Sequence, residues 1–282
     1  MNRFVLASIA PWAVLSAAGL TACATTGEPE AQARPETVYA VTDAAELIRF
    51  NAGRPQQIEQ RLPLQGLEPG DRLVGMDYRV ARGVLYALSA SGRLYTLDTT
   101  TARLSRVGSG APVALSGQRF GVDFNPVADR LRVVSDSGQN LRLHPDTGAV
   151  AAVDPPLATA VAGSAPMRVA GAAYTYNKRD DKLTTNFAIE LSTGALVRQG
   201  SAEGTLPVVS PNTGQITTVG ELGTGALEDA AFDIADTDNT ALAALRSGGR
   251  TRLHRVDLAT GRATLLGTVA EGRALWGMAI AP

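Results

Sequence analysis

Val74-Gly75-Met76-Asp77-Tyr78 and Phe120-Gly121-Val122-Asp123-Phe124 are two copies of one phrase. Three looser copies follow: Ala170-Gly171-Ala172-Ala173-Tyr174, Glu228-Asp229-Ala230-Ala231-Phe232 and Trp276-Gly277-Met278-Ala279-Ile280. Their second positions, 75, 121, 171, 229 and 277, are spaced by 46, 50, 58 and 48 residues. That period is close to one propeller blade of four antiparallel strands. Strands that crowd around a common axis have room for small residues only, which accounts for Gly at the second place in four of the five copies. Tyr78, Phe124, Tyr174, Phe232 and Ile280 then lie on the opposite face, filling the space between blades.

A second marker closes each unit. Leu97-Asp98-Thr99-Thr100-Thr101-Ala102, Leu143-His144-Pro145-Asp146-Thr147-Gly148, Val209-Ser210-Pro211-Asn212-Thr213-Gly214 and Val256-Asp257-Leu258-Ala259-Thr260-Gly261 each end an apolar strand in a polar acceptor. A Gly follows in three of the four. This is hairpin chemistry: the side chain accepts a turn hydrogen bond and Gly takes the positive-φ position. The chain stops just after an opening strand, and the domain begins, at residue 37, without one. We therefore expect residues 275–281 to supply the inner strand of the blade built by residues 37–64, which removes two exposed sheet edges. The fold class read here is all-β, a β-propeller of five blades of four antiparallel strands closed by the C-terminal strand. Blade four, about 169–220, is long enough for an insertion or extra strands at 195–207, which leaves a six-bladed count open. An open sandwich would not give complementary ends.

The chain has 282 residues, a net charge of −1 and one cysteine. A near-neutral balance, with a pI near 6.2, gives no electrostatic footprint for nucleic acid. Cys23 is the sole thiol. The segment ahead of it has a short positive start, a mostly apolar stretch from Phe4 to Leu20 broken by Pro11, and then Leu20-Thr21-Ala22-Cys23. The layout is that of a secretory signal rather than a membrane span. The tetrad resembles the lipobox of bacterial lipoproteins. That resemblance implies cleavage before Cys23, lipid attachment to its sulfur, and an envelope address, facing the periplasm or exterior. Ala24 after the cysteine favours the outer membrane. Cleavage after Ala24, giving a secreted protein, is the alternative. The domains read as a lipoprotein signal peptide over 1–22, a flexible, polar, proline-containing tether over 23–36 and a propeller over 37–282.

The words Arg72-Leu73-Val74-Gly75-Met76-Asp77-Tyr78, Phe120 to Pro126, Asp129-Arg130-Leu131-Arg132-Val133-Val134-Ser135-Asp136 and Gln139 to Gly148 resemble, as a set, the domain-of-unknown-function family 4394 of secreted bacterial proteins. The resemblance covers residues 37–282 and is most specific over 120–148. It implies a propeller-like fold and an envelope or secreted location, and it carries no activity and no functional residue.

Candidates for chemistry are few. His144 and His254 are the only histidines, and they occupy non-equivalent places in their blades. His144 reads as a turn acceptor and His254 as a strand residue. No Gly-x-Ser-x-Gly elbow and no glycine-rich phosphate loop is present. Asp77 and Asp123 hold the same inner-strand place in adjacent blades, where the other copies align Ala173, Ala231 and Ala279. Two carboxylates at a channel can hold a cation and raise one another's pKa. Equally, each can accept backbone N–H groups and fix blade register. Asn125 is the nearest further oxygen ligand, and Ca²⁺ is the ion such a set would suit. No other cofactor is implied. Asp233, Asp236, Asp238 and Asn239 read as a polar turn between the first two strands of blade five.

The expectation is a non-enzymatic, monomeric envelope lipoprotein, held on the membrane by its lipid anchor, whose propeller binds a protein, peptide or glycan. The alternative is a metal-dependent hydrolase or lactonase-like enzyme using the channel carboxylates Asp77 and Asp123.

Overall fold

The computed structural model describes residue 1, residues 27–159 and residues 167–282. Cys23 and the expected signal peptide lie outside the described residues. Among the described residues no helix is long and apolar enough to cross a membrane.

Blade one contains β1 (Thr37–Thr42), β2 (Glu46–Asn51) and β3 (Ile58–Pro63). Blade two is β4 (Leu73–Arg79), β5 (Val84–Ser89), β6 (Leu94–Asp98) and β7 (Arg103–Arg106). Blade three is β8 (Phe120–Asn125), β9 (Arg130–Ser135), β10 (Asn140–Leu143) and β11 (Val150–Val153). Blade four holds β12 (Ala158–Thr159), β13 (Val169–Tyr174), β14 (Asn186–Glu190), β15 (Ala195–Gln199) and β16 (Gln215–Glu221). Blade five is β17 (Asp229–Ile234), β18 (Ala241–Ser247), β19 (Arg250–Val256) and β20 (Ala263–Thr268). The last strand, β21 (Leu275–Ile280), returns to blade one, giving the order β21-β1-β2-β3. Its register pairs Val38 with Ile280 and Ala40 with Met278. The protein is thus a five-bladed propeller closed by its own C-terminal strand. Blade four gains a fifth, outer strand, because β12 pairs in parallel with β16. The expected extra structure at 195–207 resolves into an ordinary third strand, β15, followed by a loop.

Burial falls from the axis outward. The inner strands β4 and β13 are buried at every residue, while the outer β7 and β11 are mostly exposed. Apolar side chains meet between blades rather than in one central core. Tyr78, Leu85 and Tyr95 of blade two pack with Val41 and Leu47 of blade one. Phe187, Ile189 and Leu196 of blade four pack with Phe232, Leu245 and Val256 of blade five. At roughly 25 cal/mol per Å² of apolar surface, these interfaces hold the ring together.

The turn chemistry is as read. Oδ1 of Asp98 accepts the Thr100 N–H at 2.8 Å, and Nδ1 of His144 accepts that of Asp146 at 3.2 Å. Ser210 accepts from Asn212 at 3.2 Å and Asp257 from Ala259 at 2.8 Å. The residue closing each turn has positive φ: Ala102 (55°), Gly148 (68°), Gly214 (73°) and Gly261 (81°). Gly261 is also held by close approach, since a Cβ there would lie 2.5 Å from the Gly220 carbonyl oxygen.

One alignment is corrected. In blade five Ala231 and Asp233, not Asp229 and Ala231, take the places of Gly75 and Asp77. Asp233 makes the same backbone contacts as Asp77, and Ile234 takes the place assigned to Phe232. Ala stands there instead of the Gly that marks the other copies, so the sequence anchors on the wrong pair by two residues. The corrected second positions, 75, 121, 171, 231 and 277, are spaced by 46, 50, 60 and 46.

Residues 27–36 of the expected tether follow the propeller surface. The Asn51 side chain bonds both the N–H and the carbonyl of Arg34, and Glu28 accepts from Thr268.

Candidate functional site at the propeller axis

The inner strands approach so closely that four of the five carry glycine at the point of contact, and blade five carries the next smallest residue, Ala231. A Cβ on Gly121 would lie 2.6 Å from the Ala172 backbone nitrogen, and one on Gly75 would lie 2.4 Å from a Val122 methyl. One turn of the pleat further along sits a layer made of Asp77, Asp123, Ala173, Asp233 and Ala279. The structure brings Asp77 and Asp123 together as the sequence suggested, and adds Asp233. One carboxylate oxygen from each lies within 4.8 Å of the others, and all three residues are buried.

Each carboxylate ties its blade to the next. Asp77 accepts the N–H of its neighbour Tyr78 and, at 2.7 Å, that of Phe124 in blade three. Asp123 accepts the Tyr174 N–H of blade four at 2.8 Å. Asp233 accepts from Ile234 and, at 2.6 Å, from Ile280 of β21. The register function considered for Asp77 and Asp123 is therefore present, and it extends to the strand that closes the ring. Asn125 stands apart from the trio. Its Oδ1 accepts the N–H groups of Val127 and Ala128, both at 2.9 Å, and closes the β8–β9 turn.

Three buried carboxylates this close together cannot all ionise freely. Burial pushes the Asp77 carboxyl up to about 7, against the opposing pull of the Phe124 and Tyr78 N–H groups. Burial, then the charge of Asp77, raises Asp123 and Asp233 well above the ordinary carboxylate range. Burial and the same three aspartates raise the Tyr176 phenol, so it stays neutral. Such a set can share protons or bind a cation.

The channel opens at the start of the inner strands into a cavity of about 160 Å³. All five blades contribute to it. Val74, Met76, Phe120, Phe232 and Met278 give it an apolar wall; Arg72, Arg119, Arg246, Gln118 and Asp229 supply polar groups, with Trp276 at its edge. Asp229 is held by Arg119, whose Nε lies 3.3 Å from Oδ2. Burial pushes the Asp229 carboxyl up to about 6, and Arg119 opposes that rise. Sequence reasoning missed this mouth. Arg72 and Arg119 each precede an inner strand, but Arg246 lies within β18 and Trp276 within β21, so no common spacing joins the four.

The histidines lie outside this site. His254 is buried in β19, where burial lowers its pKa and Nδ1 faces the Arg252 carbonyl at 3.1 Å. Asp238 and Asn239 form a turn, as read. Asn239 also bridges to blade four by bonding the Tyr176 N–H and carbonyl.

The fold and the axial site define a five-bladed propeller with an axial mouth and a buried carboxylate layer. The chain belongs to the family described as Domain of unknown function (DUF4394), whose model matches residues 46–279. No curated protein matches this sequence. Among solved structures, the chain is similar to one from a nidogen/laminin complex. The identity is 10%, the TM-score 0.50, and the match covers 88% of this chain and 98% of that one. It is also similar to a structural-genomics protein of unknown function from Bacteroides thetaiotaomicron VPI-5482, with 10% identity, a TM-score of 0.48 and coverage of 88% and 64%. At 10% identity the likeness to the first shows the fold alone.

Proposed function

We propose that the protein is a non-enzymatic envelope lipoprotein, anchored through Cys23, whose axial mouth binds one residue of a peptide or glycan chain. The observation that supports this reading is the composition of the mouth. An apolar wall lies beside three arginines, a glutamine and a half-buried tryptophan. The volume, about 160 Å³, is small for a drug-sized cofactor. It suits a single sugar ring or amino-acid side chain of a longer ligand. Trp276 offers a stacking face, and arginines give directed donors to carboxylate or hydroxyl oxygens. The chain has two tryptophans, and Trp12 lies in the segment removed by cleavage before Cys23, so Trp276 is the one reporter of the mature protein. Titration with short peptides and envelope oligosaccharides should shift Trp276 emission, and Arg119→Ala should weaken that response. A panel that leaves the emission unchanged would remove the basis of the proposal.

A second reading is favoured by the carboxylate layer: a metal-dependent hydrolase or lactonase-like enzyme, with Asp77, Asp123 and Asp233 around a Ca²⁺ ion. Elemental analysis and thermal melts in calcium and in chelator test it. No ion and superimposable melts would leave it without support.

A further inference from the structure

A second concave site lies at the opposite end of the inner strands, between blades three and four. We infer that it binds a small amphipathic carboxylate, a carboxylate group joined to an apolar arm. It is independent of the axial mouth.

The cavity is about 270 Å³. Four cationic side chains line it, Arg130, Arg132, Arg142 and Lys182, against one carboxylate, Glu203. Asp154 stands behind and pairs with Arg142 and Arg132. Even with Asp154 counted, four positive groups face two negative ones. Arg130 and Lys182 form no ion pair among the described residues. Arg130 bonds only its neighbour's carbonyl, that of Asp129. A cavity that gathers unpaired cations invites an anion.

Arg132 adds direction. It is 1% exposed. Its Nε donates to the Tyr174 hydroxyl at 2.5 Å, Nη1 to Asn140 at 2.5 Å and Asp154 at 3.3 Å, and Nη2 to Asn212 at 2.6 Å. A guanidinium has five N–H donors, and these four bonds leave one on Nη2. A buried guanidinium fixed by its neighbours is a preorganised donor for a carboxylate oxygen.

The apolar half is equally specific. Apart from Met1, the exposed large apolar residues among those described are Val127, Val150, Val153, Leu183, Leu206 and Val208, all on blades three and four. Val127, Leu183 and Val208 line this same cavity. Leu206 and Val208 are 88% and 76% exposed in the β15–β16 loop at its edge. Exposed apolar side chains gathered beside a cationic pocket mark a site for a ligand with both characters.

The test uses the full-length protein and N-acetyl-Gly-Gly-Leu, as the free acid and as the C-terminal amide, by calorimetry or NMR titration. Octanoate provides a second arm. The expected result is binding of the acid at least about tenfold tighter than the amide, because charge-assisted bonds are lost in the amide. The surface variant R130A/K182A should remove most of that difference without changing the melting temperature. Octanoate binding more tightly than the peptide acid would support the site and assign the arm to an acyl chain. Equal binding of acid and amide, binding unaffected by R130A/K182A, or no binding by either the peptide acid or octanoate would overturn the inference. The axial variant Arg119→Ala should leave this binding unchanged, which separates the two sites.

Discussion

Asp77 shows how one residue serves structure and electrostatics together. Its two oxygens satisfy backbone N–H groups of two blades, yet burial holds its pKa near 7. Between the ordinary value of 3.8 and about 7, the native protein keeps this proton while the unfolded chain has lost it. The native state binds more protons there, so stability from this group is full below pH 3.8 and falls as the pH rises towards 7. Asp77→Asn should flatten that part of the curve, measured by urea unfolding from pH 4 to 8 against wild type, while lowering stability overall through one lost N–H acceptor. Parallel curves would contradict the assignment. At the mouth, Asp229 becomes charged as the pH rises through about 6. A ligand with a carboxylate should therefore bind the axial mouth more weakly at pH 7.5 than at pH 5.5, and Asp229→Asn should reduce that difference. Gly121 meets backbone where a Cβ would stand, so Gly121→Ala should cost about 1–3 kcal/mol in chemical denaturation, the usual range for overpacking.

At the scale of the element, strands are joined by clips. Arg79, at the end of β4, reaches across to Asp129 and Asp146 in the turns of blade three. The arginine is buried, but both aspartates are about half exposed. Water can rehydrate those carboxylates once the partner is removed, so Arg79→Ala should lower the melting temperature less than Gly121→Ala does. A larger fall than that of Gly121→Ala would mean the clip, not the close approach of inner strands, sets the blade spacing.

Across the whole molecule, β21 is the closure. It is the inner strand of blade one, it packs between β17 and β4, and it receives the Asp233 clip through Ile280. Removing residues 275–282 exposes the edge of β1 and the apolar faces of blades two and five together. That truncation should abolish cooperative unfolding, seen as loss of a single sharp thermal transition. A truncated chain with a wild-type melt would show that the ring does not depend on its closure.

The blade period, the turn acceptors at 98, 144, 210 and 257, and the pairing of the two chain ends were legible in the sequence. Each is written locally: in residues that repeat at a fixed distance, or in a side chain that bonds two residues ahead. Two of the three carboxylates of the layer were legible too, because Asp77 and Asp123 sit in intact copies of the repeat. Asp233 was hidden by a single replacement of Gly with Ala, which moved the apparent start of the strand. The mouth around Trp276 and the cationic cavity around Arg132 were not legible. Their residues come from separate blades and separate loops, and carry no shared spacing. Only ring closure brings them together, because the distance between two blades across an axis is fixed by backbone packing and not by distance along the chain.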